Sequence, residues 1–376
     1  MLADILLFPY SLILRFRHFL YDKGIKKVHS AEVPTICIGN ITVGGTGKTP
    51  QTEMILRLLQ QAPATKGLSP AVLSRGYKRR SRGFQQIPSD AGASFSGDEP
   101  LQIKKKFPAV TVAVDSDRVE GCTLLAHPEK IKENKKLSKR CKYPDFPASD
   151  LILLDDAYQY RKLKATLNIV LVDYNRPVYK DHLLPFGRLR DLPSRLADAD
   201  IIIVTKCPHE LDNWERTTVA HTLGLPNYAT SSCTGRNAKG RTQHVFFTRT
   251  AYETPVPLFP DSDPRYIYAG KLILFTGIAN DSALRAYLSD SYKIVKRFSF
   301  SDHHKFTGSD FRSIRHAADK YPTAALGTTE KDAQRVLDSK KVPPALRKKM
   351  FQVPIRAEFL SEKEQELFLG LVRAII

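Results

Sequence analysis

The chain has 376 residues, 42% of them hydrophobic, and carries 58 Lys and Arg against 39 Asp and Glu, a formal charge of +19. That length holds two or three domains with a sizeable core, and the positive excess calls for an anionic partner: nucleic acid, anionic lipid or a phosphorylated substrate. Five scattered cysteines (Cys37, Cys122, Cys141, Cys207, Cys233) form no C-x-x-C pair, which speaks against a zinc site and for a reduced, cytosolic chain.

Residues 1–28 read as an amphipathic helix. Asp4, Ser11, Arg15, His18 and Asp22 fall on one narrow polar stripe, and Leu2, Ile5, Leu6, Pro9, Leu12, Ile13, Phe16, Phe19 and Leu20 cover the opposite face. Arg15, Arg17 and His18 interrupt the apolar run, so it is too short to span a bilayer. The positive charge follows the apolar part, the reverse of a secretory signal. With Lys23, Lys26 and Lys27 after it, the helix suits an anionic membrane surface; the other reading is a helix packed on the protein's own core.

The next stretch organises the chain. Val33 to Ile38 is a short apolar, β-branched run, a buried strand. Gly39-Asn40-Ile41-Thr42-Val43-Gly44-Gly45-Thr46-Gly47-Lys48-Thr49-Pro50 follows, and then a helical repeat over Gln51 to Gln61. Strand, glycine-rich turn and Gly-Lys-Thr opening a helix is the context of a phosphate-binding P-loop. In this pattern the backbone N–H groups of Gly44, Gly45, Thr46 and Gly47 turn around phosphate oxygens. Lys48 reaches the β- and γ-phosphates and the Thr49 hydroxyl holds Mg²⁺. Thr42 stands where the usual pattern has its first glycine.

Beyond it, strand-length apolar runs alternate with helices: Ala71 to Ser74, Ala109 to Val114, Leu151 to Leu154, Asn168 to Val172 and Ile201 to Val204. Near-continuous hydrophobicity predicts strands buried on both faces, hence a parallel sheet covered by helices with its ligand site at the strands' carboxyl ends. Candidates stand at those ends. Asp155 and Asp156 close a Walker-B-like strand and can order the metal shell that Thr49 begins. Arg75 and Tyr77 offer a cation and a ring, Gly97-Asp98 an acidic turn, and Arg188 and Arg190 two cations at the same rim. Thr205-Lys206-Cys207-Pro208 lacks the Asn and Asp of a guanine-reading motif, so GTP is not indicated. The basic run Lys130 to Lys142 reads as a solvated insertion loop without the interleaved aromatics of a base-stacking surface.

From Gly240 to Arg265 the texture changes: Gln243 to Thr248 alternates like an exposed strand, prolines then break the chain, and residues 241–265 read as a β-type linker. Residues 266–376 then alternate strand and helix as a second, smaller α/β domain, with residues 29–240 as the P-loop core. Asp302-His303-His304 admits three readings: a metal site, a structural turn, or a histidine serving in a catalytic base.

Together, the Gly39–Pro50 stretch, Leu73-Ser74-Arg75-Gly76-Tyr77, Gly97-Asp98-Glu99-Pro100, Asp155-Asp156-x-x-Gln159, Leu184-Pro185-x-Gly187-x-Leu189-Arg190, Asp302-His303-His304-x-Phe306 and Thr329-Glu330-Lys331-Asp332-Ala333 resemble the tetraacyldisaccharide 4′-kinase (lipid A 4′-kinase) family. The resemblance spans most of the chain and accounts for Thr42, since this family does not keep the first glycine. The chain departs from it at Ala157-Tyr158-Gln159-Tyr160, at Asp191-Leu192 and in the enlarged basic insertion. What the resemblance implies is transfer of the γ-phosphoryl of ATP, with Mg²⁺, to the 4′-hydroxyl of tetraacyldisaccharide 1-phosphate. Lys48 and Thr49 would contact phosphate and Mg²⁺, and Asp155 and Asp156 the metal. Asp98 with His303 would be the base, and Arg75, Tyr77, Gln159, Arg188 and Arg190 would meet the acylated disaccharide. It further implies a peripheral protein on the cytoplasmic face of a Gram-negative inner membrane, with no nucleic acid and no obligate protein partner. The competing reading, favoured by charge alone, is a nucleic-acid-stimulated P-loop NTPase.

Overall fold

The structure, a computed structural model, describes residues 2–302 and 304–376, with side chains from residue 9 onward. The fold is α/β, as expected, and its contacts divide it into two units. The first comprises Met1–Asp90, Ile103–Thr250 and Ala357–Ile376; the second comprises Ala91–Gln102 and Ala251–Arg356.

The first unit is built on a ten-stranded sheet. Thr35–Gly39 lies at its centre, between Leu151–Asp155 and Leu167–Asp173, and runs parallel to both. Pro70–Ser74 and Thr111–Val114 extend the parallel array on one side, and Ile201–Thr205 and Thr242–Tyr252 on the other. These are the continuous apolar runs of the sequence. Ile36, Ile38, Ile152, Leu153, Ile169, Val170, Ile202 and Ile203 are wholly buried, as strands covered on both faces require. Parallel alignment brings the carboxyl ends of the central strands to one rim, where the P-loop and the Asp155-Asp156 pair lie side by side.

The second unit holds a five-stranded sheet in which Lys271–Thr276, Lys293–Ser299, Ala325–Thr329 and Met350–Val353 run parallel. Its core gathers Ile273, Phe275, Phe311, Ile314, Leu326 and Met350.

Four local outcomes differ from the sequence reading. Thr242–Tyr252, placed by its alternation at an exposed linker, is an interior strand: its register runs from His244 opposite Ile201 to Phe247 opposite Val204, and Phe246 and Phe247 are fully buried. The segment Ala91–Gln102, assigned to the P-loop core, belongs to the second unit. The C-terminal helix Glu362–Arg373, assigned to the second domain, belongs to the first. The basic insertion is two short helices, Glu129–Glu133 and Lys135–Arg140, the second capped by Asn134, whose side chain accepts from the Lys136 and Leu137 amides. The Pro9-containing helix spans Leu2–Asp22, and no described helix is long and apolar enough to cross a membrane.

Candidate active site

The P-loop leaves its strand at Gly39, where a β-carbon would stand 2.5 Å from that of Tyr158, so only glycine fits. Gly44 and Gly47 take φ of 109° and 84°, left-handed values that side chains resist. They bend the loop so that Lys48 begins the helix Lys48–Gln61. Buried Asn40 spans the turn, its Nδ2 donating to Thr46 Oγ1 at 2.6 Å. From the neighbouring strand end, Thr205 Oγ1 donates to the Thr46 carbonyl at 2.9 Å. Lys206 donates to the Gly45 carbonyl and pairs with Asp173 at 2.6 Å. Lys206 therefore braces the loop, a role that reading Thr205-Lys206 only as a failed guanine motif missed.

The acid pair divides its work. Asp155 is buried at its strand end and accepts from Ser74 Oγ at 3.1 Å. Asp156 turns out of the strand at φ 51°. Lys48 Nζ stands 3.7 Å from its Oδ1, and the Arg190 guanidinium grips both its oxygens. Burial pushes the Asp156 carboxyl up, but the charges of Lys48, Arg190 and Arg118 and the Arg190 hydrogen bond outweigh it and hold it below the ordinary aspartate value.

Arg190 also donates to the Asn40 side chain, and its segment is zipped to the P-loop. Val43 N donates to the Arg188 carbonyl at 2.7 Å, and Arg190 N to the Ile41 carbonyl at 2.9 Å. Gly187 is needed for this turn, because a β-carbon there would fall 2.1 Å from the His182 carbonyl oxygen. The Arg188 guanidinium lies against Gly44, 3.5 Å from where a β-carbon would stand. Gln159 donates to the Asn40 carbonyl, and its own carbonyl accepts from Arg17 at 2.7 Å. It ties the N-terminal helix to the P-loop base. Arg75 and Tyr77 stand exposed at the end of their strand.

Arg118 was not singled out in the sequence. Its buried guanidinium lies 5.5 Å over the Tyr160 ring, within the fields of Asp155 and Asp156, and its Nε has no hydrogen-bond partner among the described residues. The readable signal was Asp115-Ser116-Asp117-Arg118 directly after a buried strand.

The N-terminal helix presses a mixed face onto this rim. His18 Nε2 meets Asp191 Oδ1 at 2.6 Å, Arg161 pairs with Asp22 at 2.7 Å, and Leu14 is buried. Leu12, Ile13, Phe16 and Phe19 remain 48–64% exposed.

In the second unit, Asp98 bonds Arg335. His303 lies outside the described residues. Of its neighbours, Asp302 pairs with Lys331 at 3.3 Å. His304 stacks on Phe300 with centroids 4.5 Å apart and bonds Asp310 at 2.9 Å, so it serves the turn and the cap of the following helix. Among the described residues, no group of three or more His, Cys, Asp or Glu forms a metal cage. Mg²⁺ held through nucleotide phosphates and one or two carboxylates needs none, and the oxygen donors Thr49, Asp155 and Asp156 have the hardness it prefers.

Comparison with known proteins places the chain in a family. The profile of the family described as Tetraacyldisaccharide-1-P 4'-kinase matches residues 2–373. The Tetraacyldisaccharide 4'-kinase of Phocaeicola vulgatus is 37% identical over 358 residues, 94% of this chain and 88% of that protein. The enzyme of that name from Flavobacterium johnsoniae is 36% identical over 364 residues, 96% of this chain and 94% of that protein. Among solved structures, "apo" form LpxK from Aquifex aeolicus in complex with ATP matches with a TM-score of 0.66 and 25% identity over 99% of both chains. The chain belongs to the tetraacyldisaccharide-1-P 4'-kinase family.

Proposed function

We propose that this chain is an ATP-dependent lipid kinase that moves the γ-phosphoryl group onto the 4′-hydroxyl of an acylated disaccharide 1-phosphate, giving the bisphosphorylated lipid A precursor. The observation that carries the reading is the P-loop whose lysine faces the Asp156–Arg190 pair at the adjacent strand end, in a chain that the family profile matches almost throughout. The amides of residues 44–47 cradle phosphate oxygens, and Lys48 neutralises charge on the group in transfer. Thr49 and Asp155 would hold Mg²⁺, which offsets charge between the β- and γ-phosphates when bound. Asp156, already engaged by two cations, fixes the direction of Lys48 and Arg190.

A sugar hydroxyl is a poor nucleophile, so its proton must pass to a base as the new P–O bond forms. Asp98 takes that role with His303. Arg75, Tyr77 and Arg188, exposed at the rim, meet the disaccharide, whereas Gln159 acts on the P-loop base through Asn40. The exposed Leu12, Ile13, Phe16 and Phe19, with Lys23, Lys26 and Lys27 beyond, seat the protein on an anionic bilayer, the cytoplasmic face of a Gram-negative inner membrane.

The test is to incubate the purified chain with γ-labelled ATP, Mg²⁺ and a detergent-dispersed disaccharide lipid monophosphate. Label in the lipid is expected. Label released only as inorganic phosphate, with hydrolysis raised by polynucleotide and not by lipid, would replace this reading with a nucleic-acid-stimulated NTPase.

A further inference from the structure

Asp98 does not stand alone in its unit. It opens the helix Asp98–Lys106 directly after Gly97, whose φ of 91° is open to glycine and strained for other residues. The stretch before it is pinned to the same unit where the Ala93 amide donates to Asp338 Oδ2 at 2.8 Å. Arg335, on the helix Glu330–Leu337, reaches Asp98 across 237 positions of sequence: its Nε donates to Asp98 Oδ2 at 2.9 Å. The same guanidinium donates through its other arm to Asp332 Oδ1 at 2.9 Å.

Asp332 is in turn fixed from two sides. Its Oδ2 accepts from the Gly277 amide at 2.8 Å and from Thr329 Oγ1 at 2.7 Å. Gly277 is itself constrained, since a β-carbon there would lie 2.9 Å from Asp332 Oδ1. The chain of contacts therefore runs from the backbone at a strand end, through Asp332, to Arg335 and then Asp98. Side-chain exposure rises along it, from 0% at Asp332 through 7% at Arg335 to 26% at Asp98.

That gradient separates two accounts. An ion pair that only holds the fold together gains nothing from opening one carboxylate to solvent, where its charge is screened. A carboxylate that must meet a substrate proton needs an open side and a rigid back. Arginine suits the rigid back, because its planar fork fixes two carboxylates at once, which a lysine ammonium on a flexible stem does not do. We propose that Arg335 is a positioning residue for the phosphoryl transfer: anchored by Asp332, it holds Asp98 in the orientation from which Asp98 serves as base. This rests on the reading of Asp98 given above.

The test is a double-mutant cycle in the full chain, with Arg335→Met, Asp98→Asn and the pair, reading kcat, KM for ATP and thermal unfolding. Asp98→Asn should lower kcat about a hundred- to ten-thousandfold. Arg335→Met should lower it roughly ten- to hundredfold with KM for ATP nearly unchanged. In the Asp98→Asn background it should cost no further kcat, because a residue that acts through Asp98 has nothing left to position. Arg335→Lys, which keeps the charge and one contact, should recover part of the loss and supplies the comparison if the methionine variant does not fold. An equal fractional loss in both backgrounds, or a loss that tracks the melting temperature, overturns the role of Arg335 alone. Full activity of Asp98→Asn overturns the base reading with it.

Discussion

At the scale of single residues, the proposed chemistry concentrates on Lys48 and the acid it faces. Lys48→Ala should lower kcat on the order of a hundred- to thousandfold, the usual cost of losing one preorganised charge at the transferring group. The fold should survive, since Lys48 has one 3.7 Å ion pair and no core to hold; a circular-dichroism melt beside the assay checks both, and near-normal turnover would remove the kinase mechanism. Asp156 supplies a pH prediction. Burial raises its carboxyl, and Lys48, Arg190 and Arg118 more than reverse that, so its ionised form, and the activity that needs it, persists as pH falls below the ordinary aspartate value. Arg190→Met removes one of those cations and its hydrogen bond, and should move the acid limb of the kcat profile to higher pH. A limb that stays in place means Asp156 does not govern it. That Lys48, Asp156 and Arg190 are candidates could be read from the sequence because each sits in a motif of neighbouring positions, and the structure brings the three into contact. Arg335 beside Asp98 could not: no local pattern announces a partner 237 positions away.

At the scale of elements, periodicity showed that the N-terminal helix has two faces but not which side of each residue would be covered. The covered side takes Leu14 into the core, and His18 and Arg17 because Asp191 and the Gln159 carbonyl offer those two partners, and leaves Leu12, Ile13, Phe16 and Phe19 outside. The strand Thr242–Tyr252 was misplaced for a related reason. Its polar positions, Gln243 and Thr248, look solvent-facing in sequence, yet both are buried and bonded, Gln243 to the Leu196 and Ala199 carbonyls and Thr248 to Gln51. Alternation alone does not distinguish water from buried hydrogen-bond partners. Deleting the N-terminal helix would also release Gln159 and Asp191 beside the P-loop, so surface substitutions isolate its outer face better. Ile13→Gln with Phe16→Gln removes two large apolar groups, each worth about 1.5–3 kcal/mol when fully buried. Vesicle partitioning should fall at least roughly tenfold while the melting temperature and KM for ATP hold. Unchanged co-sedimentation with vesicles would sink the membrane role of this face.

At the scale of the whole molecule, the P-loop unit is assembled from three separate stretches, and the last of them arrives only after the chain has built the second unit. Reading along the sequence assigns each stretch to the domain it follows, which is why the terminal helix was given to the wrong side. What brings it back is chemical. Glu364, 2% exposed, accepts from the Phe247 amide at 2.8 Å and pairs with Arg216, so an interior strand finishes its hydrogen bonding on a side chain from the far end of the chain. Phe368 is fully buried against Phe246, with ring centroids 5.7 Å apart, and Phe359 packs on the same ring at 5.8 Å. Losing one buried phenylalanine costs about 3–5 kcal/mol, and leaving the buried Phe247 amide without Glu364 adds about 1–3 kcal/mol. Against a typical total stability of roughly 5–15 kcal/mol, removing this helix should abolish the cooperative folding of the P-loop unit, although the contacts described for it are with Phe246, Phe247 and Arg216 rather than with the P-loop. A chain ending at Leu360 should therefore lose ATP-analogue binding and its first melting transition together, and limited proteolysis should cut within residues 29–250 before it cuts within 257–350. If instead the truncated chain binds the analogue and melts as the full chain does, the terminal helix is an appendage and the three-stretch assembly of this unit is not what stabilises the P-loop.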